Sequence, residues 1–147
     1  MLTHSDSRIM PYSAQQMYDL VADIESYPKF LPWTAAARLR GQHPEGDVIV
    51  AIADMVISFK VFREKFGTRV TMDPLAGTIV SELVDGPFKC LISKWAFRDV
   101  EEGCQVDYNV EFEFRNRILQ KAAGVFFHEA QRQIMGAFEK RAKELHG

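Results

Sequence analysis

The chain has 147 residues, 47% of them hydrophobic and 26% charged, with a formal net charge of −2. That balance excludes a disordered chain, and a slightly acidic total lacks the strongly basic footprint expected of a DNA binder. A single domain over residues 1–147 is expected, burying roughly 70% of the surface that the unfolded chain would expose.

Eleven phenylalanines favour a wide apolar interior. The two cysteines, Cys90 and Cys104, have neither C-x-x-C spacing nor a histidine at zinc-finger distance, so they read as reduced core thiols and no metal or cofactor is expected. Residues 1–10 hold no apolar signal core, and no run of eighteen apolar residues occurs, which predicts a cytoplasmic protein.

Leu2 to Met10 reads as an edge strand ended by Pro11. Ser13 with Gln16 then forms a capping box, and Tyr12 with Met17 stands at the positions of a hydrophobic staple, which predicts a helix to about Ala22. Tyr27-Pro28-Lys29-Phe30-Leu31-Pro32-Trp33 follows as a proline-fixed loop, too apolar for solvent. It reads either as a lid on the core or as the rim of a ligand mouth.

Strands are predicted next. Ala35, Ala37 and Leu39 alternate with Ala36, Arg38 and Arg40 up to a turn at His43-Pro44-Glu45-Gly46. Residues 47–57 are apolar on both faces apart from Asp54, so their inward face is not readable. Phe62, Phe66, Val70 and Met72 alternate with Arg63, Lys65, Arg69 and Thr71, which puts Glu64 on the apolar side. Three readings stand for Glu64: a ligand-facing acceptor or base, a bulge that returns it to water, or a cross-strand arginine partner.

A short strand, Ile79 to Val84, ends at Asp85-Gly86-Pro87, and Leu91, Ser93, Trp95 and Phe97 then share one face. The cleanest alternation closes the set, with Cys104, Val106, Tyr108, Val110, Phe112 and Phe114 opposite Gln105, Asp107, Asn109, Glu111 and Glu113.

The last segment, 116–147, reads as one amphipathic helix from an Asn116 cap to Gly147. Leu119, Ala123, Phe126, Phe127, Ala130, Ile134, Ala137, Phe138 and Leu145 form its predicted buried stripe, interrupted by Arg141. It carries six Lys or Arg against three Glu, and Ile118, Val125 and Met135 lie off the stripe beside the basic positions. Such a face suits an anionic bilayer, RNA or plain solvent. About seven antiparallel strands, one inserted helix and a long terminal helix predict an α+β layer in which a curved sheet grips the last helix.

The segment from Leu20 to Trp33, with its Tyr-Pro-x-Phe-x-Pro-Trp core, together with Gly86-Pro87-Phe88, Trp95-Ala96-Phe97 and Phe112-Glu113-Phe114, resembles the coenzyme-Q-binding START-like proteins. These belong to the helix-grip superfamily with START lipid-transfer domains, aromatase/cyclases and the birch-pollen allergen. Many members carry Cys after the Trp, where this chain has Thr34. The resemblance implies the helix-grip fold, a hydrophobic tunnel between sheet and helix, ubiquinone or a related polyisoprenoid lipid as ligand, and a supporting role in respiratory electron transport. Some bacterial relatives are described as ribosome-association toxins.

The residues expected to line such a tunnel are Leu31, Trp33, Phe62, Glu64, Phe66, Trp95, Phe97, Tyr108 and Phe112, with Phe126, Phe127, Ala130 and Ile134 from the helix. Tyr108 supplies a hydroxyl for a quinone carbonyl. The same aromatics also suit a closed core, and small helix residues such as Ala123 and Ala130 suit either tight docking or a gap.

No catalytic set is expected. His4, His43, His128 and His146 are scattered away from the predicted inner face, and Glu64 with Tyr108 is the only acid–base pair to nominate. The remaining expectations are a carrier that visits the inner face of a membrane, an enzyme of the cyclase kind, or a ribosome-binding module using Arg117, Lys121, Arg132, Lys140 and Lys143.

Overall fold

The computed structural model describes residues 1–59 and 62–147. In chain order it comprises β1 (Leu2–Met10), α1 (Ala14–Ala22), a 3-10 helix (Ile24–Lys29), β2 (Thr34–Glu45), β3 (Val48–Phe59), β4 (Phe62–Asp73), β5 (Thr78–Asp85), β6 (Phe88–Val100), β7 (Gly103–Phe114) and α2 (Arg117–His146). The strands make one seven-stranded sheet in the order β1-β7-β6-β5-β4-β3-β2, antiparallel throughout. Register shifts at Thr34/Ala36, Arg40/His43, Gly67/Thr68 and Phe88/Cys90 add local twist and bend, and the sheet curves around α2. This is the α+β helix-grip arrangement that the alternation pattern predicts.

Local signals explain where the helices start. The Ser13 hydroxyl accepts from the Gln16 amide while the Gln16 side chain accepts from the Ser13 amide, so the capping box forms in full. Asn116 Oδ1 accepts from the amides of Ile118 and Leu119 at 2.8 and 3.1 Å and opens α2. That helix has 30 residues, about 45 Å at 1.5 Å per residue.

The packed core lies at one end of the grip. The backbone of α2 comes closest to β1, β7 and α1. There Met10, Met17, Val21, Cys104, Val106, Met135, Phe138 and Ala142 are almost wholly removed from solvent. The other strands stand further from the helix, and that separation creates the cavity described below.

The structure corrects several expectations. Met135 faces inward and is fully buried, whereas Leu145 is 51% exposed, because the inward row of α2 runs through Phe127, Gln131, Met135, Phe138 and Ala142. The first hairpin turns at Gly46–Asp47 and not at His43, since Pro44 and Glu45 pair with Ile49 and Val48 and leave Gly46, with φ of 64°, to make the corner. The proline-bearing loop contains the 3-10 helix, with Pro28 tolerated inside it. Odd-numbered residues of β3 face inward, among them Ala51 and Ala53. Arg141 does enter the apolar side, where its guanidinium carbon lies 5.4 Å from the Phe30 ring centroid. Among the described residues, no helix is long and apolar enough to cross a membrane.

Candidate functional site

A cavity of about 320 Å³ lies between the concave face of the sheet and α2, and its lining is overwhelmingly apolar. Strand parity builds the floor. Met55, Ile57 and Phe59 project from β3, Phe62, Glu64, Phe66, Thr68 and Val70 from β4, Trp95 from β6, and Tyr108, Val110 and Phe112 from β7. The roof is the face of α2 bearing Ala123, Phe126, Phe127, Ala130, Gln131 and Ile134. Alanine at positions 123 and 130 leaves the roof short of side-chain volume opposite large aromatics, so the space stays unfilled.

Two aromatic assemblies bound the cavity. At its deep end Phe138 packs edge-on against Tyr27, Phe30 and Trp95, with centroids 5.4, 5.3 and 5.1 Å away. The Tyr27 hydroxyl donates to the Val21 carbonyl, and desolvation of the phenol at the inner end of this half-buried residue holds it far above the usual range. At the mouth Trp33 packs on Phe59 at 4.8 Å and Phe59 on Phe126 at 5.7 Å, so the proline-bearing segment, β3 and α2 meet there through three rings. Trp33 adopts φ of 62°, a strained left-handed conformation for a bulky residue, and its carbonyl accepts from the Ser58 amide at 2.7 Å. Leu31 lines the cavity beside it.

The Gly86-Pro87-Phe88 turn seats part of the floor. Gly86 has φ of 144°, and a Cβ there would stand 2.6 Å from the Phe66 Cβ, so only glycine allows the approach. Phe88 packs edge-on to Phe66 at 5.5 Å and stacks on Phe114 at 4.8 Å, while Phe112 meets Phe127 of the helix at 5.0 Å.

Polar groups are few. The Tyr108 hydroxyl donates to Gln131 Oε1 at 2.7 Å, and both residues are more than 90% buried. Burial pushes the Tyr108 phenol well above its ordinary value, so it remains a donor. Glu64 faces the cavity, half-buried, in a stretch of β3–β4 pairing without a register shift. Its carboxylate makes no hydrogen bond or ion pair among the described residues. The bulged and arginine-paired readings of Glu64 therefore do not hold.

Glu64 and Tyr108 are not a catalytic pair. Registers from Met72 through Ile79 and Trp95 place Tyr108 level with Met72. At about 3.4 Å per residue, that level is roughly 25 Å along β4 from Glu64. Among the described residues no group of three or more His, Cys, Asp or Glu is arranged to hold a metal.

Of the residues expected to line the tunnel, Phe97 lies elsewhere. Its ring packs edge-on against Tyr18 of α1 at 5.8 Å, in a small groove with Ala14, Gln15, Leu75 and Gly77. Inward parity along β6 is right, but α1 covers that end of the strand. Gln131, Thr68 and Ser81 line the cavity beyond the expected set, together with Ser93, for which the alternation predicts only a strand face. For Gln131 the available signal was its place in a four-residue repeat with Phe127 and Met135. His4 also departs from expectation, for it faces α2 and its Nδ1 lies 3.0 Å from Nδ1 of His128.

Comparison with known proteins places this architecture. The family described as polyketide cyclase / dehydrase and lipid transport matches residues 10–139. Ribosome association toxin RatA of Rickettsia prowazekii (strain Madrid E) is 36% identical over 148 residues, covering 99% of this chain and 99% of its own. The mitochondrial coenzyme Q-binding protein COQ10 homolog B of Xenopus laevis is 30% identical over 151 residues, covering 99% of this chain and 60% of its own. The solution structure of the 18 kDa protein CC1736 from Caulobacter crescentus superposes with a TM-score of 0.85 at 34% identity, covering 100% of this chain and 99% of that one. With its helix-grip fold and a match over residues 10–139, the chain belongs to the polyketide cyclase/dehydrase and lipid-transport family.

Proposed function

We propose that the protein is a non-enzymatic carrier that binds ubiquinone or a related polyisoprenoid lipid between the sheet and α2 in support of respiratory electron transport. The observation that carries this reading is the apolar cavity of about 320 Å³ with an aromatic mouth at Trp33, Phe59 and Phe126. An isoprenoid tail gains about 0.8 kcal/mol for each methylene moved from water into such a lining. The similarity to a coenzyme Q-binding protein supports the choice of lipid. Loading takes place at the inner face of a membrane: Ile118 and Val125 are 79% and 73% exposed on α2, flanked by Arg117 and Lys121, a pairing that suits anionic lipid. The distance between Glu64 and Tyr108 favours a binder over an acid–base enzyme. Lipids extracted from the protein purified out of a quinone-producing host are expected to contain quinone well above a control protein of equal size; an equal amount in both overturns the reading.

A second reading rests on the similarity to RatA along the whole chain. In it, the outward cations Arg117, Lys121, Lys140 and Lys143 of α2 meet ribosomal RNA; Arg132 is engaged by Glu129 at 2.8 Å. It predicts co-sedimentation with ribosomal subunits that weakens steeply with salt. No co-sedimentation at low salt would remove it.

A further inference from the structure

The cavity floor is not uniformly apolar. Ser81 of β5 is the direct cross-strand partner of Ser93 of β6, and both line the cavity. Ser81 is also opposite Val70 on β4, which places Thr68 diagonally beside it. Ser93 is opposite Val110 on β7, which places Tyr108 diagonally beside it, bonded to Gln131. Direct partners stand about 5 Å apart and diagonal ones about 7–8 Å. Thr68, Ser81, Ser93 and Tyr108 therefore form one oblique track of hydroxyl-bearing residues across four strands, roughly 14 Å wide at a strand spacing of about 4.8 Å, with the Tyr108 hydroxyl reaching up to Gln131 on the helix.

The middle of this track lacks protein partners. The Thr68, Ser81 and Ser93 hydroxyls make no hydrogen bond among the described residues, and the Gln131 side-chain NH2 likewise has none. Neither serine side chain is needed for the sheet ladder, and each occupies an inward position where neighbouring strands carry Val70, Val110 or Trp95. Donors held in an apolar cavity favour a ligand that brings acceptors to them, since burying them unpaired is costly.

We propose that the Thr68–Ser81–Ser93–Gln131 track is a headgroup subsite for a flat ring bearing oxygen acceptors on opposite edges. The ring's carbonyl and ether oxygens accept from the serine hydroxyls and the Gln131 amide, and its apolar substituent runs toward the Trp33–Phe59–Phe126 mouth. This inference rests on the cavity being a ligand site, as proposed above, and adds which end of the ligand enters first and what it must carry. A plain hydrocarbon chain leaves every one of these groups unpaired. A quinone lipid and an aromatic polyketide share the required ring chemistry.

The test is competition against cavity-bound anilinonaphthalene sulfonate by three probes: 2,3-dimethoxy-5-methyl-6-decyl-1,4-benzoquinone, decylbenzene, and a tail-less polyhydroxylated naphthoquinone. The wild-type protein is expected to bind the decyl quinone at least about tenfold more tightly than decylbenzene, the worth of one hydrogen bond or more. The Ser81→Ala/Ser93→Ala variant is expected to lose most of that ratio while holding decylbenzene unchanged. Thr68→Val, which keeps side-chain shape, gives a second reading that survives if the double variant folds poorly. Preferential binding of the tail-less naphthoquinone with the same serine dependence also supports the track and assigns it to a polyketide-type ring. A decyl quinone preference unchanged in every variant overturns the subsite and leaves the cavity reading intact, whereas failure of all three probes to bind the wild type overturns both.

Discussion

Tyr108 on β7 donates to Gln131 on α2 at 2.7 Å, a bond between two buried side chains that joins the floor of the cavity to its roof. Among the described residues it is the one side-chain hydrogen bond between β7 and α2 in which both partners are buried, so it helps set how α2 lies over the sheet. Replacing Tyr108 with Phe leaves the Gln131 oxygen buried and unpaired, at a cost of about 1–3 kcal/mol. Urea unfolding checks this through a lower midpoint at constant slope. Combining Tyr108→Phe with Gln131→Leu is expected to recover part of the loss, and strictly additive effects would contradict the coupling.

Trp33 has φ of 62°, and its carbonyl is tied to the Ser58 amide at 2.7 Å. Glycine relieves that strain and alanine does not, so Trp33→Gly is expected to be more stable than Trp33→Ala by about 1 kcal/mol. Both variants lose the ring contact with Phe59. Bound lipid should leave both faster than it leaves the wild type, as followed by transfer to acceptor vesicles.

Gly86→Ala brings a Cβ within 2.6 Å of the Phe66 Cβ at φ of 144°. The expected loss is at least about 1–3 kcal/mol. Because Phe66 lines the cavity, weaker ligand binding should accompany the drop in denaturation midpoint. Unchanged stability would contradict the close approach.

His4, which faces His128 across the β1–α2 contact, confers a pH dependence. Burial lowers the His4 pKa below its ordinary 6.5, and the facing His128 lowers it further; Asp6 opposes them, while Arg132 and Arg8 add to them. The buried His4 Nε2 atom has no hydrogen-bond partner among the described residues. The folded protein thus takes up a proton on His4 less readily than the unfolded chain. Stability from this source is full above pH 6.5 and falls as the pH drops below it toward the folded-state pKa. Thermal melts at successive pH values should show the decline, and His4→Gln should flatten it.

Elements governed by neighbouring residues were legible in the sequence. The capping box at Ser13, the alternation of β7 and the Asn116 cap each depend on residues within a few positions, and each stands where it was expected. Features set by distant partners were not. Met135 and Leu145 exchanged places because the buried row of α2 is chosen by what packs on it, and Gln131 joins that row only because Tyr108, 23 residues earlier, satisfies it. Phe97 has the inward parity of Trp95, yet α1 decides where the cavity ends along β6. The hydroxyl track was out of reach for the same reason, since the pairing of Ser81 with Ser93 is a matter of register.

The lipid is expected to reside in the space beneath Ala130. Native mass spectrometry of the purified protein, compared with an Ala130→Phe variant of equal thermal stability, tests that directly. The expected result is a quinone or isoprenoid lipid retained by the wild type and at least tenfold depleted in the variant. Equal lipid occupancy in the two proteins, or none in the wild type after expression in a quinone-producing host, would contradict it.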